Sequence, residues 1–67
     1  MKTTKDVTEL TEREQELVSP LVKGYTNQQI AEAMGLSVST VKAHLASIFI
    51  KRRVTNRGAL IVWALKA

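Results

Sequence analysis

The chain has 67 residues, 45% of them hydrophobic, and a net charge of +4. That is enough for one small domain, which buries only roughly 60% of its unfolded-chain surface and gains from further burial against a partner. With no Cys and a single His, His44, disulfide staples and a His/Cys zinc site are excluded, and no cofactor or metal is expected.

The opening MKTTKDVTE is polar and lacks a signal-peptide core, and no stretch reaches the ~20 apolar residues of a membrane span. A cytoplasmic protein without a membrane partner is expected. Residues 1–9 read as a flexible tail or the remnant of a linker, and the folded unit is expected over 10–67. Thr11 is a good N-cap with Glu14 three residues on, and Glu12, Glu14 and Glu16 favour the positive end of a first helix. That helix should run from about Glu12 to Lys23, with Leu17, Val18, Leu21 and Val22 apolar, and end at Gly24. Pro20 removes the amide that would bond the Glu16 carbonyl, at ~3 kcal/mol in a regular interior. A tolerated kink is expected, the ring filling part of the core.

Thr26 and Gln29 fit a second capping box, opening a helix from about Asn27 to Met34 with Ile30, Ala31 and Met34 on one face. Gly35 supplies a turn that no Cβ obstructs. Ser37 then opens a third helix, about Val38 to Lys51. Its inner face is Val41, Leu45 and Ile48; Ser39, Lys42, Ala43, Ala46 and Ser47 are left on the outer one. Two short capped helices around a Gly make a helix-turn-helix, whose second helix enters a DNA groove. Charge points the same way: residues 1–36 carry four basic and six acidic side chains, and from Ser37 onward there are six basic and no acid. Lys42, Lys51, Arg52, Arg53, Arg57 and Lys66 are placed to meet phosphates, the alternative being a merely solvated basic face.

The Thr55-Asn56 pair offers an N-cap for a fourth helix, about Arg57 to Lys66, in which ALIVWAL is apolar on every face. Leu60, Ile61 and Ala64 are expected to enter the core, leaving Ala59, Val62, Trp63 and Lys66 outward as a contact surface. For Trp63, the alternative is a core aromatic lying over the edge of the first helix.

LTEREQEL, then GYTNQQIAEAMGLSVSTVKAHLASIFIK, then NRGALIVWA resemble the LuxR-type helix-turn-helix domain found in FixJ/NarL-type response regulators, quorum-sensing regulators and GerE-like small regulators. The match covers about Leu10 to Ala64. Its most specific pieces are Leu10-Thr11-x-Arg13-Glu14, Asn27-x-x-Ile30-Ala31 and Thr40-Val41-Lys42-x-His44. The resemblance implies an all-α, compact four-helix domain over 10–67. It also implies sequence-specific binding of double-stranded DNA by a bacterial transcription regulator, with the third helix in the major groove and the fourth pairing in a homodimer. By position, Lys42 with Ser39, Ala43, Ala46 and Ser47 forms the base-facing set. Asn27, Thr40, His44, Lys51 and Arg52 form the phosphate set, and Ala59, Val62, Trp63 and Lys66 the dimer set. RNA polymerase is a further candidate partner, and a nucleoid-associated location follows.

Individual residues keep alternatives. A Lys at Lys42 can donate to guanine O6 and N7. Ala43 and Ala46 either touch thymine methyl groups or let the helix approach closely. Ser47 either meets a base or is merely solvated, and His44 is a packing residue with a phosphate or backbone hydrogen bond rather than a pH sensor. Where the family usually has Lys-Leu-Gly-Val, this chain has Lys51-Arg52-Arg53-Val54. Arg53 at a positive φ is strained unless the turn differs, and Arg52 can bury its stem and direct its charge toward Glu14 or a phosphate. Glu12 stands for a frequent Pro, and Pro20 for a core aliphatic. The rival readings are a sigma-factor region-4-like promoter-binding module, disfavoured by the apolar fourth helix, and a helical protein-interaction module using that helix. An enzyme is not expected: there is no Cys nucleophile, metal cluster or Gly-rich phosphate loop, and the lone His has no triad partners.

Overall fold

The computed structural model describes residues 9–66, so the expected tail over 1–9 lies, but for Glu9, outside the described residues. Four helices follow one another: α1 Glu12–Val22, α2 Asn27–Met34, α3 Val38–Arg52 and α4 Arg57–Lys66. The all-α, four-helix expectation holds. Helix ends shift by a residue: α1 closes at Val22 with Lys23 as its cap, and α3 runs on through Arg52.

Local chemistry sets these boundaries. Both expected capping boxes form: the Thr11 hydroxyl accepts from the Glu14 amide at 3.1 Å while the Glu14 carboxylate accepts from the Thr11 amide at 2.9 Å. Thr26 and Gln29 repeat the exchange at 3.1 and 2.8 Å. Ser37 caps α3 through the Thr40 amide, and Asn56 caps α4 by accepting from the Ala59 amide at 2.8 Å. At the other ends, Gly24 (φ 91°) and Gly35 (φ 68°) take left-handed conformations open to residues without a Cβ. The next amides, of Tyr25 and Leu36, return to the Pro20 and Ala31 carbonyls, satisfying the last turn.

α3 ends in the same way without the glycine. Arg53 stands at φ 57°, ψ 41°, its amide bonding the Ile50 carbonyl and the Val54 amide bonding that of Phe49. Packing has kept the left-handed cap and placed an arginine in it, at a cost on the order of 1–2 kcal/mol. The Arg53→Gly variant is therefore expected to be more stable by about 1 kcal/mol, raising the melting temperature by roughly 4–8 °C in a domain of this size. An unchanged or lower midpoint in a thermal scan would contradict strain at this residue.

α1 runs through Pro20 to Val22 as one helix. The carbonyl orphaned by the proline belongs to Glu16, an exposed residue, where water can take the bond. Leu10, Leu17, Leu21, Ile30, Ala31, Val41, Leu45, Ile48 and Leu60 form the core, flanked by Val18, Met34, Leu36, Phe49, Val54, Ile61 and Trp63. On α4, Leu60 is fully buried, whereas Ile61 and Ala64 are half-exposed. Of the expected inward face of α4, Leu60 enters the core and Ile61 packs against it, and Trp63 packs there as well. α1 lies against the three other helices and α2 against α3. Among the described residues, no single helix is long and apolar enough to cross a membrane.

Candidate nucleic-acid interface

Between α2 and α3 the chain turns through 106°, within the range of a helix-turn-helix. Gly35 makes the turn, and Val41, Leu45 and Ile48 press α3 into the core. Spaced along a 3.6-residue repeat, those three leave Ser39, Lys42, Ala43, Ala46 and Ile50 on the opposite side. All five are exposed, and the segment from Ser37 onward contains no acidic side chain to oppose a phosphate backbone.

Two residues of α1 hold this pair of helices in place. Arg13 donates from Nη2 to the Met34 carbonyl at 3.1 Å, closing the C-terminal end of α2 with a positive charge, and from Nη1 to Glu16 at 2.9 Å. Glu14, the one buried charged residue among the described residues, reaches α3: its carboxylate accepts from Ser47 Oγ at 2.7 Å and from Lys51 Nζ at 2.8 Å. Burial alone pushes the Glu14 carboxyl up. The hydrogen bonds from Lys51, Ser47 and the Thr11 amide, together with the Lys51 charge, outweigh burial and hold it at about 2, below its ordinary 4.5.

In this arrangement several residues of the expected contact set also bond within the fold. Ser47, expected on the outer face, is half-buried and turned to α1, and the Lys51 ammonium is held by Glu14 instead of being presented to solvent. Thr40 is half-buried and its hydroxyl accepts from Ser37 Oγ at 2.9 Å. His44 is half-buried. Arg52 lies with its guanidinium 4.9 Å from the centroid of the Trp63 ring, a cation–π contact, so its stem packs inward toward α4. Trp63, given two roles by the sequence, is half-buried and packs on the core. Ala59 is half-exposed; Val62 and Lys66 are exposed, and so is Leu65, which the sequence reading did not single out.

Asn27 has a partner the sequence did not suggest. Arg57, at the start of α4, donates from Nη1 to Asn27 Oδ1 at 2.7 Å and from Nη2 to the Tyr25 carbonyl at 2.6 Å. The guanidinium thus lies beside the N-terminus of α2, at a shallow depression lined by Tyr25, Thr26, Asn27 and Gln28. A fixed positive group next to a helix N-terminus is a favourable place for an anion. The two residues are 30 apart in the chain, and no local pattern pairs them.

The family model for bacterial regulatory proteins of the luxR family matches residues 8–64 of this chain. Among relatives, the chain is 42% identical over 55 residues to the response regulator protein VraR of Staphylococcus aureus, and equally to the proteins of that name from Staphylococcus saprophyticus and Staphylococcus epidermidis. Each match covers 82% of this chain and 26% of the relative, so the chain spans about a quarter of the length of these proteins.

Proposed function

The chain belongs to the luxR family of bacterial regulatory proteins, and from that premise we propose that residues 10–67 bind double-stranded DNA sequence-specifically in transcription regulation. The observation that carries this reading is the 106° helix pair with an exposed, acid-free outer face on α3. In this arrangement α3 enters the major groove, Lys42 donates to a guanine edge, and Ser39, Ala43 and Ala46 line the approach. Arg57 with Asn27 at the start of α2, Thr40 and His44 are proposed for the phosphate backbone. Ser47 and Lys51 act behind this surface, through Glu14.

Val62 and Leu65, 51% and 67% exposed, make α4 the surface for a second copy, with Ala59 and Lys66 at its margin and Trp63 supporting it from inside. Such a dimer places two α3 helices on two half-sites. The setting is the cytoplasm of a bacterium, with DNA as the partner and RNA polymerase as a downstream one; no catalytic step is assigned. The VraR proteins are response regulators by name, and we propose the corresponding output role for this chain.

Lys42→Ala is expected to cost about 1–3 kcal/mol of binding to a duplex selected from a random pool, with unchanged helix content. Undiminished binding in a mobility-shift titration at fixed salt would remove Lys42 from the interface. A pool that yields no preferred duplex would remove the DNA reading itself.

A further inference from the structure

The outer face of α3 holds a side chain that neither the core nor a phosphate contact explains. Ile50 is 78% exposed, the most exposed large hydrophobic residue among those described. It stands four residues beyond Ala46 and seven beyond Ala43, near the centre of the face opposite Val41 and Ile48. An apolar ridge thus continues the line begun by Lys42, and basic Arg53 follows at its end.

We propose that Ile50, with Ala43 and Ala46, reads the 5-methyl groups of thymines in the major groove, making this chain a reader of G·C followed by T·A pairs. The inference rests on the DNA-binding reading above and specifies which base edges it recognises. Elimination supports it. An adenine edge is recognised by Asn or Gln, and the N4 amine of cytosine by Asp or Glu, and α3 contains none of these four residues. The outward face offers two polar groups, Ser39 and Lys42, and otherwise only methyl-bearing surface. The one base feature complementary to such surface is the thymine methyl. Charge complementarity commits the ridge to DNA rather than to an apolar protein: cationic Lys42 and Arg53 flank it, and no acid follows Ser37. Along α3, Lys42 and Ile50 lie eight positions apart, about 12 Å or three to four base-pair steps at 1.5 Å per residue and 3.4 Å per step.

The test is to select duplexes from a randomised pool with the 67-residue chain, then replace the thymines of the selected duplex by deoxyuridine one at a time, which deletes only the methyl group. The expected result is a thymine within about four base pairs of a required guanine whose replacement weakens binding about fourfold, the equivalent of one buried methyl. In Ile50→Ser that penalty disappears at one position, while circular dichroism and the salt dependence of binding stay as in the parent. A selected duplex indifferent to every deoxyuridine replacement overturns this proposal alone, since sequence-specific binding would stand. Equal penalties in parent and variant also overturn it. Loss of self-association in Ile50→Ser, with the deoxyuridine penalties unchanged, shows that a second copy covers the ridge and overturns it too. Failure of the pool to yield any preferred duplex overturns both this proposal and the DNA reading.

Discussion

Glu14→Gln is expected to destabilise the domain by up to about 3 kcal/mol at neutral pH, the largest loss anticipated for any exchange of similar shape in this chain. Glutamine keeps the side-chain length, and with its carbonyl oxygen in the place of Oε1 it still accepts from the Thr11 amide, so the cap survives; its Nε2 then faces Ser47 Oγ as a donor where the carboxylate accepted. What disappears is the charge that pairs with Lys51, whose side chain is only 18% exposed. The size follows from linkage between an ordinary value of 4.5 and a folded value of about 2: about 2.5 pH units at 1.36 kcal/mol each is an upper bound near 3 kcal/mol. Domains of this length are stable by roughly 3–10 kcal/mol in all, so the variant sits close to the limit of folding.

The pH dependence has a definite sign. The carboxyl is depressed on folding, so its stabilisation is fully present above about 4.5 and is lost as pH falls from there toward about 2. Urea midpoints of the parent should hold level between pH 7 and 5 and then decline. The difference between parent and Glu14→Gln should shrink toward zero across the acid range. A difference that stays constant down to pH 2 would show that the residue acts by packing alone.

Val62→Glu should separate dimer formation from folding. Val62 is half-exposed on α4, whereas Leu60 anchors that helix in the core, so a charge at Val62 disturbs the outer surface and leaves the fold intact. Sedimentation is expected to show a monomer. Affinity for a duplex with two half-sites should fall on the order of 10²-fold through lost avidity, while affinity for a single half-site stays the same. A parent already monomeric at high concentration, with and without such a duplex, would exclude α4 as the pairing surface.

Much of the fold is legible because it is written locally. Thr11 with Glu14, Thr26 with Gln29, Ser37 and Asn56 each lie within three residues of the amide they cap, and a separation of that kind can be read directly from the chain. The inner face of α3 follows from the 3.6-residue repeat. Helix ends are less legible: α3 passes Lys51 to reach Arg52 because the Arg53 cap, with its positive φ, forms one residue later. The candidate interface divides in the same way. Helical phase exposes Lys42, Ala43 and Ala46. It also exposes Ile50, whose place on the outer face follows from the same repeat.

The chain by itself determined four helices, the capped turn at Gly35, the outward phase of Lys42 and the gathering of basic residues after Ser37, since each depends on neighbours a few positions away. Only the tertiary structure decided which of the basic and hydroxyl groups remain available to a partner. Ser47 and Lys51 are occupied by Glu14, 33 and 37 residues distant; Asn27 is joined by Arg57, 30 residues distant; and Arg52 is laid over Trp63. Periodicity ranks residues by the face they occupy. Which polar atoms meet across two packed helices depends on crossing geometry and on the high free-energy cost of leaving a buried carboxylate unpaired, and neither is encoded in spacing along one helix.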